Sequence, residues 1–193
     1  MRKLAVFCGS SEGSNIMYKQ VANRLGEELA RLKIGLVYGG ASVGIMGAVA
    51  DAVLKNGGHV TGVMPRFLEG REISHKGLTE LIVVESMHER KAKMAELADG
   101  FLMLPGGPGT LEEFFEIFTW AQLGLHQKPC GFLNVNQYFN PLLALFDHMV
   151  KEGFLQEKYR RMALSAEDIS DLLQMFHSYE PPAIKTYITR QQT

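Results

Sequence analysis

The sequence predicts an α/β fold: a doubly wound, Rossmann-like parallel sheet with helices on both faces. Six short, nearly unbroken apolar runs recur along the chain, at residues 4–8, 34–38, 60–64, 81–84, 101–104 and 131–135. Between most of these runs the apolar residues repeat with the helical period, as they do over residues 18–32 and 111–121. Unbroken apolar strands that alternate with helices form parallel sheets, and ligands bind beyond the carboxyl ends of such strands.

Length and composition predict a single soluble domain. The chain has 193 residues, 46% hydrophobic and 21% charged, which is enough to bury a substantial core. The net charge of -1 offers no basic field for a nucleic-acid polymer, and no apolar run approaches the ~20 residues of a membrane helix. The first residues lack a signal-peptide pattern, so we expect a cytoplasmic protein. Residues 1–180 are expected to form the domain and residues 181–193 a loose tail.

Cys8 and Cys130 lie far apart in the sequence, with no Cys-x-x-Cys spacing. Each borders an apolar run. We therefore interpret both as small buried hydrophobic residues, rather than as a disulfide, a metal site or a nucleophile. No bound metal is predicted.

The loops after the first two strands are rich in glycine and serine. Ser10 and Ser11 follow the first strand, where their hydroxyls either contact a ligand or make a polar turn, and Ser14 is expected to cap the first helix. The second loop, residues 39–47, matches neither Gly-x-Gly-x-x-Gly nor a P-loop. It indicates either a tight turn with close helix–sheet packing or a nucleotide-binding loop, and both interpretations stay open.

The connection after the third strand is long and irregular. It carries Arg66, Arg71 and His75, which we interpret as solvated residues. Long loops in compact domains are nevertheless often functional lids.

The helix after the fourth strand is expected to begin at Ser86, because Ser86 and Glu89 have capping-box spacing. Arg90 and Lys91 then fall in its first turns, where cations oppose the helix dipole. Either an anionic ligand compensates this cost, or the helix presents a solvated face with a Glu89–Lys93 ion pair. Both interpretations stay open.

Residues 99–116 hold the most informative stretch of the chain. A short strand stops at Pro105, a glycine-rich loop follows, and a helix begins near Thr110, which is typical of a phosphate site at a helix N-terminus. Glu113 has two explanations. It completes a capping box with Thr110, which stabilises the helix by up to ~1 kcal/mol, or it stabilises positive charge on a ribose whose phosphate the loop holds. The residues alone leave both open.

The last elements carry no evident chemistry. The helix that follows the glycine loop is expected to stop near Gly124. A closing helix is expected over residues 163–179, with Ser165 as its cap and Asp168 at its third position.

Residues 105–113, Pro-Gly-Gly-Pro-Gly-Thr-Leu-Glu-Glu, resemble the Pro-Gly-Gly-x-Gly-Thr-x-x-Glu signature of the LONELY GUY family. These proteins are cytokinin riboside 5′-monophosphate phosphoribohydrolases that were long labelled lysine decarboxylases. The resemblance extends to residues 6–11, 36–40, 44–47, 87–92 and 119–126, and so spans most of the chain.

The resemblance implies hydrolysis of a nucleoside 5′-monophosphate to a free base and ribose 5-phosphate, without a cofactor, in a homodimer. It makes Arg90 and Glu113 the catalytic pair. The positions that match substrate contacts are Glu72, Arg90, Lys91, Gly106, Gly107, Pro108, Gly109, Thr110, Leu111, Glu112, Glu113 and Thr119. Pro108 stands where plant members often have tyrosine, which leaves prenylated adenine and plain AMP both open.

Two other functions compete with this one. A related group of molybdenum-cofactor carriers shares the architecture, but a carrier need not keep both Arg90 and Glu113. A decarboxylase would need a Schiff-base lysine for pyridoxal phosphate, and no lysine has a recognisable setting for one. The expected dimer agrees with the excess apolar surface of the central helix, which carries Phe114, Phe115, Phe118 and Trp120.

Overall fold

A computed structural model describes residues 1–69 and 74–183 of the chain. The strands are β1 (Lys3–Phe7), β2 (Gly35–Tyr38), β3 (Val60–Pro65), β4 (Glu80–Val84), β5 (Gly100–Met103), β6 (Cys130–Leu133) and β7 (Ala163–Ala166). The helices are α1 (Ile16–Arg31), α2 (Gly44–Lys55), α3 (Arg66–Glu69), α4 (Met87–Leu97), α5 (Pro108–Gln122), α6 (Asn140–Lys151), α7 (Glu157–Arg160) and α8 (Ile169–His177), with a short 3-10 turn at Val135–Gln137. No described helix is long and apolar enough to cross a membrane.

The strands form one parallel sheet in the order β4-β3-β2-β1-β5-β6-β7. Leu4 of β1 pairs with Leu36 of β2 on one side and with Gly100 of β5 on the other. The chain therefore builds the sheet first in one direction from β1 and then in the other. The carboxyl ends of β1 and β5 form the switch point of the sheet, where α/β proteins bind their ligands.

Helices cover both faces of this sheet, so the predicted fold class is confirmed. On one face α1, α2 and α8 bury residues such as Leu25, Val49 and Phe176. On the other face α4, α5 and α6 bury Met94, Phe118 and other apolar residues. Successive strand residues point to opposite faces, which explains why the strands read as unbroken apolar runs.

The predicted closing helix is wrong at its beginning. Residues 163–166 form β7, which pairs in parallel with β6, and the helix begins only at Ile169. Asp168 is its cap, since its carboxylate accepts a hydrogen bond from the Ser170 N–H at 2.7 Å. The predicted cap, Ser165, lies inside the strand.

Helix α1 also begins one residue later than expected. The side chain of Asn15 accepts the Met17 N–H at 3.0 Å, so Asn15 is the cap and the predicted Ser14 is not. The stop predicted at Gly124 is confirmed, because α5 ends at Gln122 and Gly124 has a φ of 79°.

The extent of the domain, residues 1–180, stays a prediction. Of the expected tail over residues 181–193, positions from 184 onward lie outside the described residues.

Candidate active site

The loops that follow β1 and β5 touch each other at the switch point. The Gly9 N–H donates to the Pro105 carbonyl at 3.2 Å. A Cβ on Gly106 would stand 2.7 Å from the Gly9 nitrogen and 2.1 Å from Oγ1 of Thr110. The backbones approach too closely for a side chain at position 106, and this explains one glycine of the predicted phosphate loop.

A cleft of about 290 Å³ opens beside this contact. Ser10 and Ser11 line it together with Gly107 and two tyrosines, Tyr18 and Tyr138. The two tyrosine rings meet edge to face with their centroids 5.8 Å apart. The cleft therefore combines backbone and hydroxyl groups with aromatic surface.

Sequence reasoning missed both tyrosines. The Tyr138 hydroxyl donates to the carbonyl of Gly106 at 2.6 Å and so fastens the glycine loop. The available signal was the position of Tyr138 just after β6, at the carboxyl edge where every loop is a ligand-site candidate.

Helix α5 begins earlier than predicted, and this removes the structural explanation of Glu113. The cap is Gly107, without a side-chain hydrogen bond, and Pro108 occupies the first helical turn. Thr110 is already helical, with its N–H bonded to the Gly107 carbonyl at 3.1 Å. The predicted Thr110–Glu113 capping box is therefore wrong. Proline suits this place because its fixed φ fits the first turn, where its missing N–H is not needed.

Glu113 instead forms a buried ion pair. Its Oε1 lies 3.2 Å from Nη1 of Arg90, and each side chain is only 11% exposed. Nε of Arg90 donates to the carbonyl of Val63, within β3, at 3.1 Å. A Cβ on Gly39 would stand 1.9 Å from Nη2 of Arg90, so the guanidinium lies directly against the glycine that follows β2.

Burial raises the pKa of Glu113 from 4.5 to about 6, even though the Arg90 guanidinium opposes this rise. Glu112 and Glu116 add to the rise, and Lys91 counters them. The Glu113 carboxyl therefore loses its proton just below neutral pH, at a site that is largely shielded from solvent. Groups with this combination of burial and a specific charged partner are concentrated at functional sites.

Lys91 lies beside this pair and is also buried, with 5% of its side chain exposed. Its Nζ contacts Oε1 of Glu112 directly and lies 2.8 Å from Oε2 of Glu116. The cations at the start of α4 therefore face carboxylates of α5. The alternative Glu89–Lys93 pair is wrong, because Lys93 pairs with Glu96 at 3.1 Å.

The capping prediction for α4 is confirmed in one half. Ser86 Oγ accepts the Glu89 N–H at 3.1 Å, as expected of the cap. The Glu89 carboxylate accepts the N–H of Glu85, at 2.7 Å, rather than that of the cap residue.

The glycine-rich loop after β2 packs against the loop after β1. The N–H groups at the start of α2 are used in this contact: Ile45 donates to the Ser11 carbonyl at 3.4 Å and Met46 to that of Gly9 at 3.2 Å. Gly44, with a φ of 62°, has no room for a Cβ, which would stand 2.3 Å from the carbonyl carbon of Ser10. These contacts favour the interpretation of a tight turn with close packing.

The residues after β3 have different surroundings. Arg66 is exposed and pairs with Glu85 at 2.8 Å, which agrees with a solvated residue. The prediction for His75 is wrong: its side chain is 11% exposed, with Nε2 2.9 Å from Oδ1 of Asp51. Its backbone N–H donates to the carbonyl of Gly40 at 2.9 Å, and Gly40 follows Gly39, the glycine that contacts Arg90. Arg71 and Glu72 lie outside the described residues.

Thr119 is not brought to the ion pair. It is exposed on α5, six residues beyond Glu113, which is about 9 Å along the helix axis.

Cys8 and Cys130 are buried free thiols, as predicted, and burial raises the pKa of each. Within residues 1–69 and 74–183, no cluster of His, Cys, Asp and Glu could hold a metal ion.

Comparison with known proteins gives close matches in sequence. A family profile described as "Possible lysine decarboxylase" matches residues 46–176. A cytokinin riboside 5′-monophosphate phosphoribohydrolase of Arabidopsis thaliana is 49% identical over 180 residues, which cover 93% of this chain and 83% of that protein. The enzyme of the same name from Rhodococcoides fascians is 49% identical over 178 residues, covering 92% of this chain and 90% of its own.

Solved structures match in fold at much lower identity. The molybdenum cofactor binding protein from Rippkaea orientalis has a TM-score of 0.70 at 19% identity, and covers 92% of this chain and 96% of its own. The Moco carrier protein from Chlamydomonas reinhardtii has a TM-score of 0.67 at 19% identity, covering 92% and 99%. This likeness is one of architecture.

Proposed function

The chain belongs to the LONELY GUY family of cytokinin riboside 5′-monophosphate phosphoribohydrolases, and from this membership we propose that it hydrolyses the N-glycosidic bond of such nucleotides. The products are a free adenine-type base and ribose 5-phosphate. We extend the proposal to AMP, because Pro108 stands where plant members often carry a tyrosine.

The observation that carries the proposal is the buried Arg90–Glu113 pair, with its 3.2 Å contact, at the carboxyl edge of the sheet. Breaking an N-glycosidic bond builds positive charge on the ribose. A fixed carboxylate in a dry site stabilises that charge and orients the attacking water. We assign this role to Glu113. Arg90 holds the carboxylate in place and is itself held by the Val63 carbonyl.

The phosphate is assigned to the loop at the start of α5. A helix N-terminus with no side-chain cap leaves N–H groups for an anion, and a Cβ at Gly107 or Gly109 would meet nothing within 4 Å. Ser10 and Ser11 line the same cleft and can donate hydroxyl hydrogen bonds. Glu113 follows Gly109 by four residues, about 6 Å along the helix axis, which suits the ribose of a nucleotide whose phosphate lies at the loop.

The remaining assigned substrate contacts are proposals of the same kind. Pro108, Thr110 and Leu111 belong to the first turns of α5 and follow the phosphate loop directly. Glu112 lies in the same turns, but its carboxylate is held by Lys91 and is not assigned to the substrate. For Thr119, a contact with the same substrate requires a second copy of the chain, because the residue is exposed and remote from the pair.

A homodimer provides such a copy. Phe115 and Trp120 of α5 remain only partly buried, although the helix packs against the sheet with its other face. We also propose that the protein acts in the cytoplasm.

Lysine decarboxylation does not fit the geometry. A lysine that forms a Schiff base has to lose its proton. Lys91 is the buried lysine of the described residues, and it is held between two carboxylates. Burial on its own lowers the pKa of Lys91, but the bonds to Glu112 and Glu116 outweigh burial and the pKa is raised.

The test is a base-release assay. The protein is incubated with isopentenyladenosine 5′-monophosphate and, separately, with AMP, and the free base and ribose 5-phosphate are quantified. Glu113→Gln and Arg90→Met are each expected to lower kcat by at least about 100-fold. Glu96→Gln, at an exposed carboxylate of α4, is the matched control and is expected to keep full activity.

Two results would contradict the proposal. In one, neither nucleotide yields a base while a phosphorylated pterin is retained, which favours a carrier. In the other, Glu113→Gln keeps the activity of the unmodified protein.

A further inference from the structure

Lys91 has surroundings that a phosphate-binding lysine would not need. Lysine is rarely buried unless its charge is paired, and here 5% of the side chain is exposed. Its ammonium contacts Glu112 directly and lies 2.8 Å from Glu116. The two carboxylates stand one turn apart on α5 and enclose the ammonium from one side.

The same two carboxylates flank Glu113. Glu112 precedes it by one residue and Glu116 follows it by three. Five charged or titratable groups act on Glu113 or are acted on by it: Arg90 and Lys91 from α4, Glu112 and Glu116 from α5, and the Cys8 thiol just after β1. Three carboxylates thus stand beside two cations. Glu112 and Glu116 raise the pKa of Glu113, and Arg90 and Lys91 oppose this rise.

We propose that Lys91 is a positioning residue for the reaction proposed above: its ammonium neutralises Glu112 and Glu116 and so leaves Arg90 as the undivided partner of Glu113. Two consecutive residues of α4 then have different roles. Arg90 pairs with the carboxylate that acts on the ribose, and Lys91 pairs with the two carboxylates that do not. This differs from the substrate contact that the family resemblance implies for Lys91.

The contacts explain why the side chain is a poor candidate for a phosphate. An ammonium has three donors, and two carboxylates already lie within bonding distance of Nζ. Releasing Lys91 toward a phosphate would leave Glu116, whose side chain is 22% exposed, without its cation. Leaving a buried charge unpaired is more costly than losing a surface ion pair.

The experiment is a rescue series. Lys91→Met is compared with Lys91→Met combined with Glu112→Gln and Glu116→Gln, in kcat and KM across pH and in the ¹³C titration of the Glu113 carboxylate. Lys93→Met on the same helix, where Lys93 pairs with Glu96, is the matched control. Lys91→Met is expected to lower kcat by about tenfold at pH 7 and to move the Glu113 titration and the acidic limb to higher pH. KM should change by less than about threefold, and the added glutamines should restore kcat to within about threefold.

A variant with Lys91 intact gives an independent measurement. Glu112→Gln with Glu116→Gln leaves the ammonium unpaired beside Glu113, so the Glu113 titration should move to lower pH. This result does not depend on the stability of Lys91→Met.

The inference is overturned if Lys91→Met raises KM for the nucleotide with an unmoved Glu113 titration, or if the added glutamines fail to restore kcat. These outcomes differ from failure of the proposed function, in which the unmodified protein releases no base. The ¹³C titration still reports the effect of Lys91 on Glu113 in that case.

Discussion

Replacing Glu113 with glutamine should change stability in a pH-dependent way. In the folded protein, burial raises the pKa of Glu113 from 4.5 to about 6. The folded state therefore takes up this proton at higher pH than the unfolded state. Between pH 4.5 and 6 the folded state binds more protons, so the free energy of unfolding falls as the pH rises.

The size of the effect follows from the same values. At about 1.4 kcal/mol for each pH unit, the rise from 4.5 to about 6 corresponds to about 2 kcal/mol. Solvent screening reduces this figure little, because the Glu113 side chain is 11% exposed. Glutamine has a similar shape and no charge. The stability of Glu113→Gln relative to the unmodified protein should therefore increase by about 2 kcal/mol between pH 4 and pH 7.

Urea unfolding at pH 4 and pH 7 measures this difference. Groups remote from Glu113 titrate alike in both proteins, so their contributions cancel in the comparison. Glu96→Gln, which also removes one carboxylate but from an exposed site, controls for the loss of a negative charge.

A slope of the opposite sign would contradict this prediction. If glutamine becomes relatively less stabilising as the pH rises, the attraction of Arg90 outweighs burial and the pKa of Glu113 is lowered. If the stability difference between the two proteins stays constant within about 0.5 kcal/mol from pH 4 to pH 7, the effects of burial and of Arg90 on the pKa of Glu113 cancel. The pKa of Glu113 would then lie near its ordinary value.

Three substitutions and one mass measurement give further predictions. Gly39→Ala places a Cβ 1.9 Å from Nη2 of Arg90 and should lower kcat at least about 100-fold in the base-release assay, with the fold retained by circular dichroism. Gly107→Ala meets open space, so its thermal stability should be unchanged while KM for the nucleotide rises about tenfold. Tyr138→Phe loses the 2.6 Å bond to Gly106 and should raise KM several-fold with little change in kcat. Light scattering at micromolar concentration should give the mass of a dimer, and a monomer mass would contradict that proposal.

The outcome for each element reflects how local its signal is. The six predicted strands, and the helices that alternate with them, follow from apolar runs that are visible directly in the sequence. β7 was not predicted because the strand has only four residues, most of them only partly buried, so it forms no clear apolar run. Alanine and leucine also favour helices. The start of α5 was misplaced although its signal was local too, since Pro108 fits a first helical turn better than Thr110 fits a cap.

The site was predictable in its residues and not in its contacts. The family resemblance points to Arg90 and Glu113, which lie 23 residues apart in the sequence. Nothing in their spacing shows that they pair, or that Gly39 provides room for the guanidinium. The buried place of His75 beside Asp51 was likewise hidden, because the histidine follows a long polar connection.

The alternation of strands and helices and the glycine loops at the carboxyl edge could be predicted from the amino-acid sequence, because hydrophobic period and backbone preference act over a few neighbouring residues. Which cation pairs with which carboxylate depends on how the helices pack. α4 and α5 lie on the same face of the sheet, and their packing brings Arg90 to Glu113 and Lys91 to Glu112 and Glu116. Such pairings depend on the relative placement of two helices over the whole sheet, which no local pattern encodes.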